Sequence, residues 1–68
     1  MFGQRLKQAR KNAGFTQVSL AEALGVSKGT VAMWEINKRE ASFTTLRRIS
    51  ILLSCSIDWL LQDYGITQ

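Results

Sequence analysis

The side chains able to do chemistry in this 68-residue sequence are of few kinds. Histidine is absent and Cys55 is the single cysteine. No zinc site of the cysteine and histidine type can therefore be assembled, and no intrachain disulfide. No imidazole is available as base to a nucleophilic serine or cysteine. Cys55 lies in the apolar context Leu53-Ser54-Cys55-Ser56-Ile57 and reads as a small buried hydrophobe, an intermolecular disulfide or redox role being the alternative. The expectation is a chain with no catalytic set, no metal and no cofactor. What it does carry is positive charge: nine Lys and Arg against five Asp and Glu, a net charge of +4. Arg5, Lys7, Arg10 and Lys11 stand in the first 14 residues with no acid, while from residue 42 onward Arg47 and Arg48 are balanced by Asp58 and Asp63. A basic pole suits a polyanion such as nucleic acid, although a solvated helix face accounts equally well for charge taken alone.

These groups must be positioned by a small core. The chain is 46% hydrophobic without low-complexity stretches, enough for one packed domain spanning residues 1–68 and too short for two. Its longest wholly apolar run is Ile51-Leu52-Leu53, and no basic segment precedes an apolar one, so neither a membrane span nor a secretory signal is expected. The expected setting is the cytoplasm.

The main structural signal is repeated four times. Phe15-Thr16 with Leu20, Val26-Ser27 with Val31, Ala41-Ser42 with Leu46, and Cys55-Ser56 with Leu60 each place a hydroxyl between two apolar residues at the spacing of an N-cap and its hydrophobic staple. They predict helices from about Gln17 to Leu24, Lys28 to Ile36, Phe43 to Leu53, and Ile57 to Gln62 or Tyr64. A first helix, from about Phe2 to Ala13, is marked by Phe2, Leu6, Ala9 and Ala13 at core spacing and by Gly14 as a stop. In the fourth helix Phe43, Leu46, Ile49 and Leu53 form the apolar stripe, widened by Ile51 and Leu52. The fold class is all-α, with five helices.

Only Gly25-Val26-Ser27 separates the second and third helices, and so short a connection forces them to cross steeply, the geometry of a helix-turn-helix unit at residues 16–37. The ordered set Thr16-Gln17, Leu20-Ala21, Gly25-Val26-Ser27, Val31, Trp34-Glu35, Leu46, Ile49, Leu53 and Asp58-Trp59-Leu60-Leu61 resembles the lambda-type phage Cro and repressor family. Two positions depart from it: Asn37 stands where the family usually has glycine and Ala41 where it often has proline. Asn tolerates the left-handed conformation, so a helix stop at Asn37 is retained.

The resemblance implies a transcriptional repressor that occupies a double-stranded DNA operator as a dimer, with no small-molecule ligand. It nominates Ser27, Lys28, Gly29 and Met33 for base contacts, with Thr30 and Ala32 nearby. With Val31 and Trp34 turned inward, the opposite stripe contains Lys28, Gly29, Ala32, Met33 and Ile36. Lys28 can donate to guanine, and Ala32 and Met33 offer apolar contact to a thymine methyl. The stripe has no Asn or Gln for a bidentate adenine contact, so indirect or water-mediated readout is expected to carry part of the specificity. Met33 and Ile36 would instead be core residues if the helix were rotated. Gln17 resembles the family's phosphate-contacting glutamine, and the helix N-terminus with Thr16 and Gln17 suits an anion, the alternative being an ordinary solvated first turn. Lys38, Arg39 and Arg10 complete the expected phosphate set, with Lys7 and Lys11 as further donors or solvated charges.

By the same resemblance Arg10 is expected to pair with Glu35. The surplus of large apolar residues near the C-terminus makes Trp59, Leu61, Tyr64 and Ile66 candidates for a two-fold interface, unless all pack within the monomer. Two other readings remain open from sequence: an antitoxin or restriction-control regulator of the same fold, and a helical protein-interaction module.

Overall fold

The computed structural model describes residues 2–62, which form five α-helices: α1 (Phe2–Asn12), α2 (Gln17–Leu24), α3 (Lys28–Glu35), α4 (Phe43–Leu53) and α5 (Ile57–Leu61). Tyr64 and Ile66 lie outside the described residues.

All four hydroxyl caps form. Thr16, Ser27, Ser42 and Ser56 each hold extended backbone and accept from the backbone N–H three residues on, at 2.9, 3.1, 3.2 and 2.9 Å. Thr16 is reinforced by Ser19, whose Oγ accepts from the Thr16 N–H at 2.9 Å. The stops are as regular as the starts. Gly14, Gly25, Asn37 and Ser54 all take positive φ, at 83°, 74°, 61° and 55°. The N–H after each reaches back to a carbonyl of the preceding helical turn, as in Phe15 to Arg10, Val26 to Ala21, Lys38 to Met33 and Cys55 to Ser50, which satisfies groups the helix end leaves open. Two of these four turns lack glycine, and Asn37 and Ser54 bear the strain of a Cβ there.

The largest wholly buried side chains are Leu6, Leu20, Val31, Ile49 and Leu60, one from each helix. Each contributes about 1.5–3 kcal/mol by leaving water, so no helix is dispensable to the core. Ala9, Ala21, Leu24, Trp34, Leu46 and Leu53 complete the buried set, and α3 packs on both α1 and α2. Where α1 meets the end of α3 the approach is close: a Cβ on the buried Gly3 would lie 2.3 Å from the Glu35 carbonyl oxygen and 2.7 Å from that of Trp34. Glycine at this point lets the positive start of α1 sit directly on the negative end of α3.

The structure corrects the sequence reading at several apolar positions. Ala13 falls in the turn after α1 and is exposed, because the helix ends a residue earlier than expected. Phe43 is 67% exposed and Ile51 is exposed, whereas Leu46, Ile49 and Leu53 face inward and Leu52 is half-buried against the core. One face of α4 suffices for a core this thin, and Phe43 and Ile51 lie on the other. Arg5, grouped by sequence with the basic pole, is buried, with its guanidinium carbon 4.7 Å from the centre of the Trp59 ring. Its position three after Phe2 and four before Ala9 is the signal that placed it on the inward stripe. Among the described residues no helix is long and apolar enough to cross a membrane.

Candidate nucleic-acid interface

Helix α3 divides cleanly into two faces. Val31, Trp34 and Glu35 are buried, while Lys28, Gly29, Met33 and Ile36 are exposed, Met33 at 41% and Ile36 at 59%. The alternative of a rotated helix with Met33 and Ile36 in the core does not hold. Ala32 and Thr30 lie half-buried at the edges of the stripe, and Ser27 is exposed at its start. The Ser27 and Thr30 hydroxyls lie 2.9 Å apart, which joins the cap to the first turn. Gly29 has only the Ser27 Oγ, 3.8 Å away, near the place its Cβ would occupy, and its φ is not positive. Nothing inside the molecule requires glycine here.

The Glu35 carboxylate ties α3 to both neighbouring helices. Arg10 of α1 donates from Nε to Glu35 Oε2 at 2.6 Å and from Nη2 to Oε1 at 3.3 Å, and Gln17 of α2 donates from Nε2 to Oε1 at 3.1 Å. Arg10 also donates from Nη1 to the Phe15 carbonyl at 2.9 Å. Both charged side chains are nearly wholly buried, with 8% and 3% exposed. Arg10, named from sequence among the expected phosphate contacts, has its guanidinium buried and bonded to Glu35 and Phe15 rather than exposed. Gln17 stays half-buried, with its amide nitrogen donating to Glu35. Thr16, Lys38, Arg39, Lys7 and Lys11 are all exposed.

A contact with no forecast in the sequence holds the turn itself. Arg48 of α4 donates to the Leu24 carbonyl at 3.0 Å and to that of Ala23 at 3.4 Å, placing a cation on the negative end of α2 just before the turn into α3. Its separation from these carbonyls along the chain leaves no local pattern by which sequence could reveal it.

At the C-terminal end, Trp59 is half-buried against the core and Leu61 is 50% exposed. Leu61 borders a groove of about 530 Å³ with Phe2, Asn37, Arg39, Ala41 and Leu46. Cys55 is half-buried against the core, and burial pushes its thiol pKa up, which keeps it protonated near neutral pH.

A family model described as helix-turn-helix matches residues 6–60. The HTH-type transcriptional regulator DicA of Escherichia coli is 41% identical over 59 residues, covering 87% of this chain and 44% of that protein. SinR of Bacillus subtilis is 38% identical over 69 residues, covering 100% of this chain and 62% of that protein. The chain spans about half the length of the curated relatives it matches. Among solved structures, the c2 repressor of Salmonella phage P22 in complex with a synthetic operator superposes with a TM-score of 0.85 at 32% identity, covering 91% of this chain and 94% of that one. SinR in complex with DNA superposes with a TM-score of 0.82 at 38% identity, covering 91% and 100%. Fold and sequence agree over nearly the whole length described, and the chain belongs to the helix-turn-helix family, within its lambda-type repressor group.

Proposed function

We propose that this chain is the DNA-binding part of a sequence-specific transcriptional regulator of the repressor kind, acting by occupying a double-stranded operator in the bacterial or phage-infected cytoplasm and catalysing nothing. The observation that carries the reading is the outer face of α3, where Lys28, Gly29 and Met33 stand exposed with no role in the core. The c2 repressor and SinR, whose folds it shares, have structures in complex with DNA. Ser27, Lys28, Gly29, Thr30, Ala32 and Met33 are the proposed base-facing residues. Thr16, Gln17, Lys38 and Arg39 are the proposed phosphate grip, with Gln17 held ready by Glu35. Operator recognition involves two copies, each presenting α3 to a half-site about one helical turn from the other. Leu61, exposed beside the groove, is the described residue best placed for that contact, and Trp59, Tyr64 and Ile66 are the further candidates.

Selection of bound sites from random duplex DNA, followed by titration of the recovered site at several salt concentrations, tests this. A two-fold symmetric consensus and an affinity falling steeply with salt are expected. Absence of duplex binding even at low salt would remove the reading.

A further inference from the structure

We propose that the Asn37 side chain is a tether that positions the Lys38 and Arg39 cations for the nucleic-acid backbone by fastening the loop after α3 to the first turn of α1. The proposal rests on the DNA-binding reading above.

Asn37 performs two tasks at once. Its backbone ends α3: it adopts φ 61°, its N–H donates to the Trp34 carbonyl at 3.1 Å, and the Lys38 N–H donates to the Met33 carbonyl at 2.9 Å. Glycine performs that task with less strain. The second task needs the side chain. Asn37 Oδ1 accepts from the Gly3 N–H at 3.0 Å, across 34 positions in sequence. The Gly3 N–H belongs to the first turn of α1, where no intrahelical carbonyl is available, so Asn37 caps that helix from a distant part of the chain. The missing Cβ of Gly3 allows α1 to lie against the Glu35 carbonyl close enough for the bond to form.

The consequence falls on the next two residues. Among the described residues, the side chains at 38 to 41 make no hydrogen bond, and beyond the Lys38 N–H bond to α3 the Asn37 amide is the hydrogen bond that ties this loop to another helix. Lys38 and Arg39 are exposed and follow it directly. A loop held in place before binding loses less freedom when its cations meet phosphate, and that saving appears as affinity. Asn37 is thus a positioning residue, acting through Lys38 and Arg39.

The test is a double-mutant cycle on binding of the selected duplex, using the wild type, Asn37→Gly, the pair Lys38→Ala with Arg39→Ala, and the triple variant. Asn37→Gly keeps the helix stop, so the thermal midpoint is expected to change little, and amide exchange at Gly3 is expected to accelerate while the middle of α1 stays protected. Affinity is expected to fall by about three- to tenfold in the wild-type background, and less than about twofold where both cations are already gone. An equal loss in both backgrounds, no loss in the first, or an unchanged Gly3 exchange rate would overturn the tether. Failure of the wild type to bind duplex DNA overturns the DNA reading and the tether's function with it, whereas binding without coupling sinks the tether alone.

Discussion

Glu35 is the residue on which three helices depend: it accepts from Arg10 of α1 and Gln17 of α2 while belonging to α3. A buried pair of this kind is costly to break from one side, because the remaining charge has no water to turn to. Glu35→Ala is expected to destabilise the domain by about 3–5 kcal/mol, and replacing Arg10 and Glu35 together by Met and Leu is expected to cost far less. Equilibrium urea unfolding of the single and double variants measures the difference. Gly29 behaves oppositely. Since nothing within the fold occupies its Cβ position, Gly29→Ala is expected to stabilise α3 by about 0.5–1 kcal/mol through helix propensity. It is also expected to weaken binding to the selected DNA site if the backbone there approaches the groove. A variant both more stable and equally tight in binding would show that Gly29 is a surface residue without a role. The sequence pointed to the Arg10 and Glu35 pair through family resemblance, and to Gly29 through its place on the outer stripe. It gave no sign that Gln17 would share Glu35.

At the scale of elements, starts and stops are under separate control. The hydroxyl caps were legible because capping is local: the donor and acceptor lie three residues apart, and the flanking staple marks the place. Three of the stops were legible in residue type, Gly14 and Gly25 because glycine announces a left-handed residue and Asn37 because asparagine tolerates it. Ser54 was not, because nothing in its type demands positive φ. Ser54→Gly is accordingly expected to raise stability by up to about 1 kcal/mol, the relief of a Cβ in the left-handed region less the added freedom of the unfolded chain. Thermal denaturation reads this directly. Gly3→Ala is expected to cost about 1–3 kcal/mol, as an extra carbon is driven into the α3 carbonyls and α1 must shift away. Loss of the Gly3-to-Asn37 bond in the same variant is observable by amide exchange.

For the whole molecule, the distribution of charge matters more than its total. Burial of Arg5 and Arg10 removes two cations from the basic pole of the first 14 residues, and Arg48 is occupied at the end of α2. The exposed cations available to a polyanion are then Lys7, Lys11, Lys28, Lys38, Arg39 and Arg47. Replacing Lys38 or Arg39 by alanine is expected to lower the salt dependence of DNA binding by about one counterion each while leaving the preferred site unchanged. Lys28→Ala is expected to change the preferred base at its position. Binding titrations across salt and across single-base variants of the site separate the two effects. Leu61→Lys is expected to weaken cooperative occupation of paired half-sites without unfolding the domain, because Leu61 is half exposed. Sedimentation with and without DNA reports whether two copies assemble.

The sequence by itself determined the parts of this protein that rest on short-range physics. Hydroxyl caps, glycine turns and apolar spacing define five helices and the three-residue connection between α2 and α3. Positive charge is the chemistry its residue types carry, nine Lys and Arg against five Asp and Glu, and that charge points to contact with an anion. The tertiary structure decided everything that depends on which distant groups meet. It buried Arg5 over Trp59 and turned Phe43 and Ile51 outward. It placed Arg48 on the end of α2. It also joined Asn37 to the start of α1. A cation's sequence context states that it is charged, but its partner is set by how the helices pack, and only that packing separates the cations that hold the fold from those left to grip a ligand.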